Sequence, residues 1–532
     1  MVNKRRFTWF FILLSLLLVL AACNNEQKPP VEKEHTCSYV QDGDTFTFTD
    51  ESPRYMIRYN SSSDKEISIA DTGFIKSYSS SDTGITAGYQ DSVLRIPRSM
   101  TEGSFTEENE GVKVKLTDYG YKVGDRRQFS VWDGGEDGKE IYREANMTLR
   151  VEGEHCLIWC EDGEDGLDVS DELLKTLQEN FDRVYPLETA LFGTCSDYTV
   201  KDKDTFITEA NEKIYINIVS MGEASKNIGG FFSPVDMYKK DYIKKYNEES
   251  GFNYQTNEAR MFYVNYSGEP SFIKDMDGCV SVLIHEFQHM LRFICDNIVK
   301  GIETDVWYNE MMSLLAEDIF SVYLDLDIKS TAISRLFFFK LITNWGVTCW
   351  DNDPNSLFFQ ASYSVSYAFG SYLLRNYGGA DLLAALTDFK TAGTGKDVIN
   401  NAFRKLDLKN KEGNPLTFED AAADFHKICI YTSKADAAKG HISLNREVKF
   451  NVGDNTITAP AIDLLEGQTV MPFPYSEKIT DKQYRERKLY PYGFILSDLT
   501  NEDEKSGEEP IKDAKKIVME LPEDPAVQIY FY

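Results

Sequence analysis

Two histidines and a glutamate stand close together in the pattern His-Glu-Phe-Gln-His at residues 285–289. His285 and His289 are four residues apart, so on an α-helix their rings project from one face, one turn apart, as two ligands of one metal ion require. Glu286 lies beside that face, where its carboxylate can take a proton from a metal-bound water and return it to a leaving amine. The pattern therefore predicts a catalytic zinc site on a helix.

The pattern is a specific signal in this chain. Only 6 histidines occur in 532 residues, and two of them fall inside it. A chance occurrence of His-Glu-x-x-His at this composition is well below about one in a hundred. The alternative is a buried helix whose histidines are merely hydrogen-bonded, and the apolar residues around the pattern do indicate burial. Burial and zinc binding are compatible, because catalytic zinc sites lie on helices packed beside a dry cleft.

A third protein ligand is required, with the fourth position left for water. The extended pattern His-Glu-x-x-His-x-x-Gly-x-x-His fails here, because Arg292 and Cys295 stand where it needs Gly and His. A glutamate from a following helix is the other solution. Trp-Tyr-Asn-Glu at 307–310 resembles gluzincins, in which an Asn-Glu pair about 20 residues after the second histidine gives the third ligand; the resemblance implies Glu310. Glu317, two turns further on, would orient a ligating histidine, or would be a solvated helix charge.

The resemblance extends to one family, the hyicolysin-type metallopeptidases. Five segments carry it: Ile-His-Glu-Phe-Gln-His-Met at 284–290, Trp-Tyr-Asn-Glu at 307–310, Ala-Glu-Asp at 316–318, Gly-Gly-Phe-Phe-Ser-Pro at 229–234, and the strand beginning Met-Phe-Tyr at 261–263. The last two lie where that family has an edge strand and the strand before the active-site helix. The likeness covers about residues 150 to 430 and implies a zincin-type domain with one zinc ion and endopeptidase activity.

The same likeness suggests further site residues. A second electrophile, often Tyr or His, is expected to help hold the oxyanion. Ser-Tyr-Ser-Val-Ser-Tyr-Ala-Phe-Gly at 362–370 resembles the Tyr-x-x-Gly segment that opens a later helix in gluzincins, which assigns this role to Tyr367; a packed aromatic residue is the alternative. His426 is the second candidate, in a segment typical of an ordinary amphipathic helix.

A glycine-rich segment is predicted to bind the substrate. By analogy with the family, Gly229, Gly230 and Phe231 form an edge strand that pairs with an extended peptide by strand addition. A loop that contains glycine only for flexibility is the alternative.

The elements that must position these residues predict an α+β fold. Residues 37–165 alternate with a period of two between turn-forming clusters, which predicts a β-sandwich-like module. An acidic loop at 161–166 would end it, as a solvated hinge or a calcium site. Residues 166–435 would form the metallopeptidase domain, with a helix capped by Ser170, a small mixed sheet, the active-site helix and a helical subdomain. Residues 436–532 would form a β-rich C-terminal module.

The N-terminus carries a targeting signal. A basic triplet at 4–6 precedes an apolar run at 7–20, and Leu-Ala-Ala-Cys ends at Cys23. This resembles a bacterial lipobox, which implies removal of residues 1–22, diacylation of Cys23 and tethering to the cell envelope; an uncleaved membrane helix is the alternative. Residues 23–36 are polar and contain proline, as expected of a linker.

The net charge and the cysteine pattern argue against a nucleic-acid-binding protein and against a thiolate zinc site. The formal net charge of −29 argues against a nucleic-acid partner, because phosphate binding requires a basic face. The absence of a Cys-x-x-Cys pair argues against a thiolate zinc site. Cys156 and Cys160 are predicted not to form a disulfide, because four residues of strand separate them by about 13 Å.

The predicted function is zinc-dependent hydrolysis of peptide bonds outside the cytoplasm, by metal-bound water with Glu286 as general base. Proteins or peptides are the expected substrates. A catalytically silent binding lipoprotein on a metallopeptidase fold is the alternative, disfavoured because such a protein would not need to keep His285, Glu286, His289 and Glu310 together. Another zinc hydrolase, such as an esterase, is a third possibility. The sequence leaves open the cleavage specificity, the oligomeric state and the membrane leaflet.

Overall fold

The structure, a computed structural model, covers the chain from residue 36 with several gaps. The described ranges are 36–42, 45–48, 53–72, 111–136, 139–163, 169–221, 228–266, 276–327, 330–352, 356–388, 395–465, 488–499, 516–519 and 521–532. The predicted signal peptide and Cys23 lie outside them. Within these ranges, no helix has the length and apolar character needed to cross a membrane.

The described part is mixed α and β, as the α+β prediction requires. The strands are β1 (Tyr39–Asp42), β2 (Thr45–Phe48), β3 (Tyr55–Asn60), β4 (Ile67–Ser68), β5 (Val112–Lys113), β6 (Lys115–Thr117), β7 (Arg126–Glu136), β8 (Lys139–Glu152), β9 (Cys156–Glu161), β10 (Thr199–Val200), β11 (Glu209–Asn211), β12 (Ile214–Val219), β13 (Gly230–Phe231), β14 (Met261–Asn265), β15 (Val448–Val452), β16 (Asn455–Ala459), β17 (Lys488–Leu489), β18 (Phe494–Asp498), β19 (Lys516–Val518) and β20 (Val527–Phe531).

The α-helices are α1 (Asp171–Phe192), α2 (Lys240–Ser250), α3 (Met276–Phe293), α4 (Val306–Ser321), α5 (Leu336–Leu341), α6 (Leu357–Asn376), α7 (Ala380–Leu386), α8 (Gly395–Lys405), α9 (Phe418–Asp424) and α10 (Lys434–Ala438). Short 3₁₀ turns cover Ile69–Thr72, Pro234–Met237, Ala332–Arg335 and Phe425–Cys429, and a π-helical turn covers Ile294–Lys300.

A six-stranded mixed sheet is the centre of the fold, in the order β13-β14-β12-β9-β8-β7. The strands β9, β12 and β14 run parallel, and β13 pairs with β14 in the antiparallel sense at the edge. All six residues of β12 and all five of β14 are buried, as expected of strands covered on both faces. The two cysteines of β9, Cys156 and Cys160, are free thiols, which confirms that they do not pair with each other.

Helices α1 and α3 pack on one face of this sheet. The hydroxyl of Ser170 caps α1 by accepting a hydrogen bond from the Leu173 N–H at 3.1 Å, as predicted. The buried stripe of α1 meets α3 through Phe181, whose ring lies 5.1 Å from that of Phe287. Helix α4 in turn packs between α3 and α6. The His-Glu-Phe-Gln-His pattern on α3 is therefore packed against other helices as well as the sheet.

The strand pairing differs from the predicted modules 37–165 and 436–532. Strands β7 to β9 belong to the central sheet with β12 and β14, so the boundary at residue 165 divides one sheet. The first strands, β1 to β4, pair instead with β17 to β20 near the other end of the chain. The sequence predicted no partners for these strands, because alternation identifies a strand but contains no information about which distant strand it pairs with.

The acidic loop at 161–166 is only partly described. The Glu161 carboxylate accepts hydrogen bonds from the Arg143 guanidinium at 2.8 Å and from the Ser220 N–H at 2.9 Å. It is therefore bound into the sheet and is not a solvated hinge residue. Residues 164–166 lie outside the described part.

Candidate metal centre

The pattern at 285–289 lies on α3 in the interior of the protein. His285, Glu286 and Gln288 are 0 % exposed and His289 is 1 % exposed. The helix continues beyond Phe293 into the π-helical turn and ends at Gly301, whose φ of +72° is the left-handed conformation that favours glycine. The structure thus confirms the predicted helix and the burial of its polar residues.

The three predicted ligands converge on one point. His285 Nε2 lies 3.0 Å from His289 Nε2 and 3.2 Å from Glu310 Oε2, and His289 Nε2 lies 3.6 Å from the same oxygen. Ligands of a tetrahedral zinc ion, at bond lengths of about 2.0–2.1 Å, lie about 3.4 Å from each other. The three atoms therefore form a buried group that could hold a metal ion.

The second nitrogen of each histidine has its own partner, which decides the tautomer. His285 Nδ1 lies 2.8 Å from Glu317 Oε1, and His289 Nδ1 lies 3.2 Å from Asn309 Oδ1. Because carboxylate and carbonyl oxygens only accept, each Nδ1 carries the proton and each Nε2 presents a lone pair. Two lone pairs and the Glu310 oxygen then face one another without a proton between them, an arrangement that a cation stabilises.

Further polar side chains support these contacts. The Ser281 hydroxyl donates to Glu317 Oε2 at 2.6 Å, so both oxygens of Glu317 are used. The Ser313 hydroxyl lies 3.0 Å from His289 Nδ1 and donates to Gln288 Oε1. The predicted orienting contact of Glu317 is present. The supporting contacts of Asn309, Ser313 and Ser281 were not predicted from the sequence. Asn309 and Ser313 lie one and three residues from Glu310 on α4, so their helical spacing could have indicated them.

Glu310 carries a negative charge despite its burial. Burial alone would raise its pKa, but when His289 and His285 carry a proton on Nε2, their charge and hydrogen bonds lower the pKa to about 2; a cation bound in place of that proton acts in the same direction. A carboxylate that is ionised at neutral pH is the form that coordinates a metal ion.

Glu286 lies next to the edge strand. A Cβ atom on Gly230 of β13 would lie 2.5 Å from Val282 Cγ1, 2.7 Å from the Tyr263 carbonyl oxygen and 3.4 Å from Glu286 Cγ. The backbone of the edge strand therefore contacts α3 directly, and only glycine fits there. This close approach brings Glu286 and the predicted substrate-binding strand together.

The other predicted substrate residues have different surroundings. Phe231 is fully buried and stacks on Tyr263 with ring centroids 4.3 Å apart, in the core on the sheet face away from α3. Strand residues alternate between faces, so Phe231 turns away from Glu286 when Gly230 turns toward it. The Gly229 carbonyl accepts from the Asn265 N–H at 2.9 Å and is part of the sheet.

Tyr367 lies on α6 and is fully buried. Within the described part, its charged neighbours are Asp318 and Arg375, which form a fully buried ion pair at 2.8 Å. Burial and the charge of Asp318 raise its pKa well above the usual range. The nearby Gly370 has a packing role, because a Cβ there would lie 2.6 Å from Met311 Cγ on α4. Tyr367 thus has the surroundings of a packed aromatic residue.

His426 also lies elsewhere. Its Nε2 is 2.7 Å from the Tyr532 hydroxyl, and its ring stacks on Tyr530. Burial lowers its pKa to about 3, so it is neutral and holds the last strand against the helices.

Glu188 on α1 is an acidic neighbour of the candidate site, and this residue was not predicted from the sequence. It is 0 % exposed, and neither carboxylate oxygen has a hydrogen-bond partner among the described residues. Burial raises its pKa well above the usual range, and His285 acts in the opposite direction. Its position four residues after Val184 places it on the buried stripe of α1, a signal that the sequence did contain.

Comparison with known proteins adds no relative to these observations. No protein-family model matches the chain, and a search of curated proteins finds no match.

Proposed function

We propose that the protein is a zinc metallopeptidase of the gluzincin type, with a zincin-type catalytic domain built on the central sheet and helices α3 and α4. One observation supports this most strongly: His285, His289 and Glu310 converge within 3.0–3.6 Å while Glu286 lies against the edge strand. A purely structural cluster would not need three electron-pair donors facing one another in a buried site.

Zinc fits the donor set. Two neutral imidazoles and one carboxylate are a known ligand combination of catalytic zinc sites, which leave one position open. When bound, zinc would polarise the substrate carbonyl and make water a nucleophile near neutral pH. Glu317, Asn309 and Ser313 keep the two Nε2 lone pairs directed at the ion, through the hydrogen bonds to each Nδ1.

The remaining chemistry belongs to Glu286 and the edge strand. The Glu286 carboxylate accepts a proton from the attacking water and returns it to the amine that leaves. Strand β13 pairs on one side with β14, and its other side is the edge of the sheet. A peptide added there by strand pairing would lie beside Glu286, because Gly230 allows the strand to approach α3.

We propose further that the mature chain is tethered to the bacterial cell envelope through lipid on Cys23. This part of the proposal depends on the N-terminal sequence alone, where Leu-Ala-Ala-Cys follows a basic and then an apolar segment.

The test is cleavage of unfolded casein by the chain beginning at Asn24, with zinc content measured for each variant. Glu286→Gln removes the proton acceptor and keeps the side-chain volume. Glu172→Gln makes the same change at an exposed position of α1 and is the matched control. We expect one zinc per chain in all three proteins, and a loss of about 10³-fold or more in kcat for Glu286→Gln alone.

Two outcomes would refute the proposal. Well-folded wild-type protein without zinc would exclude the metal centre. Zinc-loaded protein that cuts neither casein nor shorter peptides would instead favour the silent binding lipoprotein.

A further inference from the structure

A buried polar network lies behind the edge strand, on the sheet face away from α3. The Asp236 carboxylate accepts hydrogen bonds from the Asn257 backbone N–H at 2.9 Å, from Asn257 Nδ2 at 2.8 Å and from the Tyr263 hydroxyl at 2.8 Å. Asp236 is 2 % exposed, and these hydrogen bonds come from neutral groups. Asn257 in turn bonds both the N–H and the carbonyl of Ser130 on β7.

This network is connected to the edge strand by Tyr263. Tyr263 on β14 is the ladder partner of Phe231, and their rings are stacked 8° from parallel. Gly230, the residue before Phe231, lies close to Val282 and Glu286 of α3. Asp236 also follows Phe231 by only five residues, at the 3₁₀ turn that ends the segment. The segment is therefore held from both sides, through its ladder partner and through its own continuation.

We propose that Asp236 is a positioning residue, whose carboxylate fixes the edge strand against α3 and so controls peptide binding at the candidate site. The role in peptide binding rests on the proposed peptidase function. The fixing of the strand itself does not, because it follows from contacts within the protein.

The ionisation of Asp236 changes the direction of one of these hydrogen bonds. Burial raises its pKa to about 6, although the hydrogen bonds from Tyr263, Asn257 and Ser233 lower it. Above that pH both oxygens accept; below it one oxygen carries a proton and can donate to the Tyr263 hydroxyl oxygen, while the other still accepts from Asn257.

The groups that face Asp236 do not share this titration. Tyr263 on β14 and Tyr142 on β8 both have pKa values raised by burial, so both phenols stay neutral. The guanidinium of Arg127 on β7 donates to the Asn257 carbonyl oxygen at 3.4 Å. A change near pH 6 in this network is therefore assigned to Asp236.

Two substitutions distinguish the effect of the hydrogen bonds of Asp236 from the effect of its negative charge. Asp236→Asn keeps an acceptor for Asn257 and can donate to the Tyr263 oxygen, so it should preserve the strand and remove the titration. Asp236→Ala removes both contacts. With a casein-derived peptide that wild type cuts, Asp236→Ala should raise KM about tenfold with kcat within about threefold, whereas Asp236→Asn should stay near wild type above pH 7.

The pH profile gives the second readout. Because the protonated carboxyl, like the amide of Asp236→Asn, keeps both contacts, wild type and Asp236→Asn should have the same KM above and below pH 6, and Asp236→Ala should have the higher KM throughout. Titration of the metal ligands affects all three proteins equally, so the difference between the profiles isolates the contacts of Asp236. An unchanged KM in Asp236→Ala, or a KM as high in Asp236→Asn as in Asp236→Ala, would overturn the proposal.

Amide hydrogen exchange of residues 229–232 tests the strand without any activity. Exchange there should be about tenfold or more faster in Asp236→Ala than in Asp236→Asn, at equal zinc content. Equal exchange in the two variants would also overturn the proposal. A wild type that cuts no peptide but shows this exchange difference would contradict the peptidase function and leave the positioning role of Asp236 supported.

Discussion

Replacement of Gly230 by alanine is the sharpest perturbation of the proposed site. The new Cβ would lie 2.5 Å from Val282 Cγ1 and 2.7 Å from the Tyr263 carbonyl oxygen. Carbon atoms in good contact are about 3.5–4.0 Å apart, so the strand or α3 must move by roughly 1 Å. Overpacking of this kind costs about 1–3 kcal/mol of folding stability.

The activity should fall more than the stability. The displaced strand lies next to Glu286, and a misplacement of about 1 Å at a reacting group can cost about 10²-fold in rate. We expect Gly230→Ala to keep its zinc and to lose about 10²-fold in kcat/KM on a casein-derived peptide. Zinc content, urea unfolding and peptide kinetics on the same preparation distinguish this result from simple unfolding.

A second substitution tests the cause. Val282→Ala removes the Cγ1 atom that the new Cβ would strike, so the double variant should recover part of the loss, about tenfold. Full recovery is not expected, because the Tyr263 carbonyl oxygen is backbone and remains. Val282→Ala alone is the control for the lost packing. Wild-type activity in Gly230→Ala, or no recovery in the double variant, would refute the close approach of the edge strand to α3.

Three further predictions follow from other contacts. Glu317→Ala removes the partner of His285 Nδ1 and should weaken zinc binding about 10–100-fold in a chelator competition, with Glu317→Gln closer to wild type. Arg375→Met leaves the Asp318 carboxylate buried and unpaired, and should lower the free energy of unfolding in urea by about 3–5 kcal/mol; an effect below about 1 kcal/mol would contradict the ion pair. The folded-state pKa of Asp236, about 6, lies above its usual value of 3.8, so its contribution to stability is full below pH 4 and is lost as the pH rises to 6. Wild type should therefore lose up to about 3 kcal/mol relative to Asp236→Asn over that window, as measured by urea unfolding at each pH.

The three residues of the candidate metal centre could be predicted because their geometry is local. A spacing of four residues places His285 and His289 on one face of a helix, whatever surrounds that helix. The Asn-Glu pair at 309–310 identified the second helix that contributes to the candidate site. The cap of α1 at Ser170 was predictable for the same reason, since it depends on residues three apart.

Non-local contacts could not be predicted in this way. The Asp236 network joins residues from four separate segments, and nothing in the sequence around Asp236 distinguishes it from a surface turn. The assignment of Tyr367 depended on a short motif, and its glycine proved to be explained by the packing of α6 on α4. Gly229, Gly230 and Phe231 were correctly placed at the sheet edge, but the face to which each side chain turns depends on a register that only the sheet defines.

The pairing of the first strands with the last has a consequence for synthesis on the ribosome. Ser61, just after β3, donates to the Ala526 carbonyl across 465 residues of chain, and β3 finds both of its partners, β18 and β20, beyond residue 490. At about 5–20 residues per second, β3 waits roughly half a minute or more for them. Until β18 and β20 are present, β3 is an open strand that invites wrong pairing and chaperone binding, during synthesis and during export alike.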